Sequence, residues 1–330
     1  MMNRLTKILS LFGPFLGLLF VYVLFLVYTQ AKGVPSFFSA YNTKTILTQA
    51  VIVGIGALGM TLVIISGGID LSVGSLIALG TVVTGWILKE YGGDQAGLSL
   101  SLFAAVAAVA VCGLCGFLNG FMTAMFRIVP FIITLGMMQI ARGAAKWIGA
   151  EQTIVAPPNP LTSLMVVEPS ADVWTSVAPG LWIFLAILVG VYVVLKYTVF
   201  GRYVFAIGSN EATARLCGVN VALQRVLIYT LCGLLTGVAS VMQFSNLAVG
   251  DPTVAMGAEL DIIAAVVIGG GSLSGGKGSA IGSVVGALIM AVLRNGCNMV
   301  EIPNYVQNIV IGVIIISAVA VDNLKARRQD

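Results

Sequence analysis

Histidine is absent from the 330 residues, and charge is scarce: 17 Lys and Arg with 13 Asp and Glu make up 9% of the chain. A soluble globular domain carries roughly 25% charged residues, so too few remain here to clothe a water-exposed surface. The missing histidine removes imidazole bases, nucleophiles and metal ligands from the chemistry open to the chain. Cysteine is sparse as well. Cys112, Cys115, Cys217, Cys232 and Cys297 sit mostly in apolar runs, where the thiol behaves as a small hydrophobe and needs no disulfide. Cys112 and Cys115 form a C-x-x-C with no second pair and no other ligands on that helix face, which favours packing over zinc or redox chemistry. What the chain has in quantity is apolar surface: 58% hydrophobic residues and a mean hydropathy of +1.03. That is the composition of a polytopic membrane protein. The 39 glycines and 10 prolines follow no repeat period and read as packing and turn residues.

A hydrocarbon core of about 30 Å takes about 20 apolar residues per helix. About ten candidate spans are legible, at 9–28, 46–66, 71–88, 100–124, 131–147, 181–195, 226–242, 260–268, 281–293 and 306–321, the eighth being the shortest. The first run is too long for a secretion signal and lacks a small-residue cleavage site, so it reads as a retained helix. Cytoplasmic loops carry the excess of Lys and Arg. With the N-terminus inside, the inner set is Arg4, Lys7, Arg127, Lys196, Arg202, Arg215, Arg225, Lys277, Lys325, Arg327 and Arg328, against Lys32, Lys44, Lys89 and Arg294 outside. Both termini are therefore expected in the cytoplasm, on a single all-α domain over 1–330. The longest outer loop, 148–180, holds Glu151, Glu168 and Asp172 but no Lys or Arg. Its Pro157-Pro158-Asn159-Pro160 run favours extended, turn-rich structure.

The one substantial polar insert on the inner side is 196–225. Ser209 or Asn210 is placed to cap a short helix that starts near Glu211 and ends at Gly218. Glu211 and Arg215, four residues apart, share a face. The residues alone leave two readings open: a solvated connector, or a helix on which a partner docks.

Gly201-Arg202-Tyr203, Gly208-Ser209-Asn210-Glu211-Ala212 and Arg215-Leu216-Cys217-Gly218-Val219 together resemble the cytoplasmic coupling segment of the ribose, xylose, arabinose and galactoside type permeases. These are the membrane subunits of bacterial ATP-binding-cassette importers. Three further stretches match the same family. They are Gly59 to Ile64 running into Ser66-Gly67-Gly68-Ile69-Asp70-Leu71-Ser72-Val73-Gly74-Ser75; Glu259-Leu260-Asp261 with Ala264 to Gly270; and Ser272-Leu273-Ser274-Gly275-Gly276-Lys277-Gly278 with Gly282, Gly286 and Ala287. The resemblance implies a multi-pass inner-membrane permease, itself no enzyme and holding no cofactor. It also implies an ATPase docked on 211–219, with Gly208, Asn210, Glu211, Arg215 and Gly218 as coupling residues. A periplasmic sugar-binding protein delivers substrate to the outer face, and a second permease subunit, identical or not, completes the path. Membrane lipid surrounds the assembly, and nucleic acid is not an expected partner.

Other motifs carry two readings each. Asp70, between two apolar runs, suits a helix N-cap with Gly67 and Gly68 permitting the turn, or an inner gate. The stretch 271–278 approaches a phosphate-binding loop, but Gly278 has no hydroxyl for Mg²⁺ and a membrane helix rather than a strand precedes it. It reads as an inner turn, with Lys277 marking the cytoplasmic side. Arg142 and Lys146 stack on one face of the fifth span; a structural pairing inside the bundle is the first reading and a place on the substrate path the second. Asn119, Gln139 and Asn246 supply amide partners suited to a neutral, hydroxyl-rich solute, though each equally suits a hydrogen bond between helices. The turns at 65–74 and 268–276 echo one another weakly, as repeats in transporters do.

The expected function is thus ATP-driven import of a monosaccharide of ribose type. Two alternatives stand beside it: a permease of the same superfamily for a branched-chain amino acid, a nucleoside or a signalling sugar derivative, and an ion-coupled secondary transporter. Scarce mid-span carboxylates and absent histidine weigh against proton coupling in the last.

Overall fold

The computed structural model describes residues 2–33, 37–167 and 177–326; Glu168, Asp172, Arg327 and Arg328 lie outside these. In chain order the helices are α1 Met2–Ala31, α2 Ala40–Ile65, α3 Val73–Tyr91, α4 Leu98–Phe126, α5 Pro130–Ile148, α6 Pro179–Tyr197, α7 Val199–Ser209, α8 Glu211–Leu216, α9 Val221–Leu247, α10 Ala258–Ile268, α11 Ala280–Met299 and α12 Asn304–Ala326. One antiparallel ladder, β1 Ile154–Val155 with β2 Val249–Gly250, pairs Ile154 with Gly250 and Val155 with Val249.

Each of the ten expected spans coincides with a helix, but among the described residues seven are long and apolar enough to cross a bilayer. The shortfall against ten has local causes. Gln139, Arg142 and Lys146 dilute the hydropathy of α5. At 11 residues and 1.5 Å per residue, α10 is about 16 Å long, roughly half of a hydrocarbon core. The described apolar stretch of α12, Asn304–Ser317, is also short.

Helices α2, α3 and α11 are buried along most of their length, whereas α1, α4 and α6 turn most of their residues outward. Both sets are apolar on every face, since inside a membrane protein and lipid present equally apolar surroundings. Small residues bring helices into contact. Along α4 and α9, a Cβ on Gly116 would lie 2.3 Å from Tyr229 O, and one on Gly233 would lie 2.4 Å from Cys112 O. Cys112 belongs to this seam; its thiol donates to Leu76 O at 3.3 Å.

Three of the four outer basic residues are not in loops, Lys89 lying in the last turn of α3. Lys44 is buried within α2 and Arg294 lies inside α11, where its Nε donates to Asp261 Oδ2 at 2.9 Å. A charge inside a bundle needs such a partner.

Two non-helical stretches interrupt the bundle. Residues 66–72 join α2 to α3, and 248–257 join α9 to α10. The second runs along α3: Gly250 sits against Thr81 and Val82, and Ala255 O approaches Gly74. Within a membrane, irregular backbone is tolerated only where protein buries it or a cavity receives it.

Candidate functional site

The insert 196–225 folds as two short helices and the start of a long one. Thr198 caps α7 by accepting from Gly201 N, and Asn210 caps α8 by accepting from Thr213 N at 2.9 Å. Gly218 ends α8 with φ +87° and donates to Arg215 O, while Val219 N reaches Ala214 O. The charged face is shared three ways. Glu211 accepts from Arg215 at 2.8 Å and also from Arg225 on α9. Beside them Leu216 is 89% exposed, a large apolar side chain left in the open at the tip of a polar hairpin.

Gly208, near the end of α7, ties this hairpin to the bundle. A Cβ there would lie 1.7 Å from Ile65 O and 2.6 Å from Gly276 N. Gly276 N itself donates to Ile65 O at 2.8 Å. Gly275, at φ +87°, completes the contact; its Cβ position is 3.1 Å from the Cα atoms of both Gly208 and Gly67. Three segments distant in sequence thus meet backbone to backbone. Two of them are the echoing turns after α2 and α10. Lys277 lies on the second turn, and its carbonyl accepts from Ser272 N at 3.1 Å. The turn follows a helix and packs against the Ile65 side chain through Gly278, while its Gly275 and Gly276 are met by the backbone of Gly208 and Ser209.

Above the junction lies a buried polar cluster. Gly68 abuts the Tyr229 hydroxyl. Asp70 is wholly buried, and its Oδ1 accepts from Ser72 N at 2.9 Å and from Ser72 Oγ at 2.6 Å. This corrects the N-cap reading: Ser72 is the N-cap of α3, and Asp70, two residues earlier, closes a turn onto it. Asn119 on α4 donates to Ser72 Oγ at 3.0 Å. Thr134 on α5 and Tyr229 on α9 both donate to Ile69 O, at 3.4 Å. Asp70 Oδ2 and Asn119 Oδ1 have no hydrogen-bond partner among the described residues.

A few residues further along α3 and α5 the polar lining continues in a cavity of about 190 Å³ bounded by Ser75, Gln139, Arg142, Gly257 and Glu259. Arg142 is paired inside the bundle, with backbone carbonyls and, among the described residues, with no carboxylate. Its Nη1 donates to Pro252 O and Val254 O, both at 2.8 Å, and so straps the segment 248–257. Thr81 adds a second tie, since its hydroxyl accepts from Asp251 N at 3.3 Å. Gln139 reaches the same cavity. Asn246, exposed in the last turn of α9, is not part of its lining.

Glu259 and Ser75 belong to motifs, but nothing in the motifs marks them as lining a cavity. The signal available was a pair of carboxylates, Glu259 and Asp261, at the head of an apolar run. The cavity therefore carries one cation and one anion, with Arg142 already committed to two carbonyls.

Residues 42–319 match the family described as branched-chain amino acid transport system permease component. The chain is 38% identical over 297 residues to the ribose import permease protein RbsC of Escherichia coli (strain K12), covering 88% of each. It is 36% identical over 289 residues to the fructose import permease protein FrcC of Rhizobium meliloti, covering 87% of this chain and 79% of that one. To the L-arabinose transport system permease protein AraH of Escherichia coli (strain K12) it is 34% identical over 314 residues, covering 95% and 92%. No solved structure matches it.

Proposed function

The chain belongs to this family of ABC-importer permeases as a non-catalytic, multi-pass subunit of the bacterial inner membrane, and from that premise we propose that it passes a monosaccharide of ribose type by alternating access. Ten helices cross or enter the membrane, with both termini cytoplasmic. The α7–α8 hairpin faces the cytoplasm. A separate ATPase docks there, against Glu211, Arg215 and the exposed Leu216. A periplasmic sugar-binding protein delivers to the other face, where the segment 248–257 and the described residues of the 148–180 loop lie. A second permease subunit, identical or not, completes the pathway.

The observation that carries this reading is the glycine junction. Gly208 leaves no side-chain volume between the hairpin and the turns at 65–68 and 275–276, so a displacement of the hairpin is passed to both turns as one body. Asp70 follows one of those turns and is buttoned onto the start of α3. α3 in turn lines the cavity at Ser75. Nucleotide shifts the equilibrium between inward- and outward-open forms only by its differential affinity for them. At the far end the strap through Arg142 and Thr81 closes the cavity and is released when the binding protein docks. Gln139 and Ser75 offer the amide and hydroxyl partners that a neutral polyol needs.

One observation favours a second reading. Arg142 and Glu259 bound the same cavity, a pairing that would receive the ammonium and carboxylate of an amino acid. The prior engagement of Arg142 with two carbonyls and the sugar names of the similar proteins favour the sugar.

The test is co-purification from the native host to identify the bound ATPase and binding protein, followed by titration of the latter with pentoses, hexoses and amino acids. Tight binding of a pentose is expected. Binding of a branched-chain amino acid alone would replace the substrate class.

A further inference from the structure

A separate cavity of about 270 Å³ opens at the hairpin end between α4 and α9, lined by Arg127, Arg215 and Arg225 together with Ala124, Asn220 and Val221. Three guanidinium groups converge on it and no carboxylate lines it. Glu211, which pairs with Arg215 and Arg225, belongs to the neighbouring surface with Leu216, so one negative charge faces three positive ones. Arg127 makes no hydrogen bond or ion pair with any described residue. It occupies the left-handed C-cap of α4 at φ 54°, a region that non-glycine residues seldom adopt.

The surroundings of Arg127 identify the depth. Met125, Phe126, Ile128 and Val129 on either side of it are exposed and apolar, as expected where helix surface meets acyl chains. A guanidinium cluster immediately inside that apolar band lies at headgroup level, and basic pockets between helices on the cytoplasmic side are suited to anionic headgroups. Arginine matches phosphate oxygens with paired donors.

We propose that this cavity binds the headgroup phosphate of an anionic glycerophospholipid from the inner leaflet, with Arg127 as its primary contact. The site holds α4 to α9 at their cytoplasmic ends, next to the hairpin. The proposal rests on the cytoplasmic orientation of the hairpin proposed above but not on a docked ATPase, and it is tested on the permease alone.

The full-length permease, purified in a mild detergent, is titrated with phosphatidylglycerol and with phosphatidylcholine of the same acyl chains, and bound lipid is counted by native mass spectrometry. Phosphatidylglycerol is expected to be retained preferentially, with Arg127→Gln lowering its affinity about fivefold, as the removal of one basic group at a headgroup does. Arg127→Lys, which keeps the charge, is expected to retain most of it and serves as the control for folding, with a monodisperse elution profile required of both variants. Equal retention of the two lipids, or no change in Arg127→Gln, would overturn the site. Inorganic phosphate that displaces the lipid at millimolar concentration and itself binds in an Arg127-dependent manner would overturn the lipid as its source.

Discussion

The two ends of the bundle are fastened in opposite ways. At the hairpin end, Gly208, Gly67, Gly275 and Gly276 bring three segments together through backbone alone, with one hydrogen bond, Gly276 N to Ile65 O, between two of them. At the other end the segment 248–257 is held by side chains: Arg142 on two carbonyls, Thr81 on Asp251, and a two-residue ladder. A contact without side chains has no rotamers through which to yield, which suits a place where motion must be passed on. Side-chain ties, with about 0.5–1.5 kcal/mol net for a neutral hydrogen bond and about 1.5–3 kcal/mol for a charged one, are individually weak enough to release. Under the proposed function, the contrast corresponds to transmission at one end and gating at the other.

The largest expected effect comes from placing volume in the rigid end. Gly208→Val cannot be accommodated without separating α7 from Ile65, and overpacking costs about 1–3 kcal/mol. Transport measured in vesicles with the complete importer should fall at least about tenfold, while membrane insertion and ATPase activity persist. Full transport in that variant would break the contrast at its stronger half. Charge reversal at the hairpin comes next. Glu211→Lys and Arg215→Glu, each tested alone, should lower substrate-stimulated ATPase activity without changing the amount of permease in the membrane. Wild-type transport in both would mean that the ATPase docks elsewhere.

At the gating end, Arg142→Ala removes two charged hydrogen bonds. A cysteine reporter at Thr253 in an otherwise cysteine-free chain should then react several times faster with a membrane-impermeant maleimide. Arg142→Lys should give an intermediate rate, and an unchanged rate in Arg142→Ala would mean that the strap lies elsewhere. The smallest effect is expected at Asp70. Asn keeps the acceptor used by Ser72 and offers a donor at the position of the unpartnered Oδ2, so Asp70→Asn should alter thermal stability little. Asp70→Leu should lower it clearly, because Ser72 N and Ser72 Oγ lose their buried acceptor. Equal melting temperatures for the two would show that the cluster contributes nothing.

Much of this architecture is legible along the chain, and what is not has a physical reason. The apolar runs locate all seven helices that, among the described residues, are long and apolar enough to cross a bilayer, because length and hydropathy are local properties. Asn210 and Gly218 bound α8 for the same reason, their cap and left-handed turn being encoded within a few residues. Residues 199–209 read along the chain only as polar loop, although Thr198 caps them; with 11 residues and two glycines, their helix is fixed by burial of Val204 and Ile207 against the bundle. The strap at 248–257 gives no local sign, since its partners Thr81, Arg142 and Ile154 are scattered over three other elements. Arg142 stands out as a costly cation in an apolar run, but the carbonyls that answer it have no signature in sequence. Likewise the glycines at 67, 208 and 275 are visible as motif residues, while their meeting is a property of the fold alone.

The claim that the hairpin and both turns move as one body can be tested by locking them. The Cβ of Ser209 lies 3.4 Å from the Cβ position of Gly276, close to the separation that a disulfide spans. In a chain freed of its five native cysteines, Ser209→Cys with Gly276→Cys is compared with itself, reduced and oxidised, in vesicles carrying the complete importer. If the junction is rigid, the oxidised form transports at the rate of the reduced one. If oxidation stops transport and reduction restores it, the junction has to open during the cycle, and coupling through a rigid junction is contradicted.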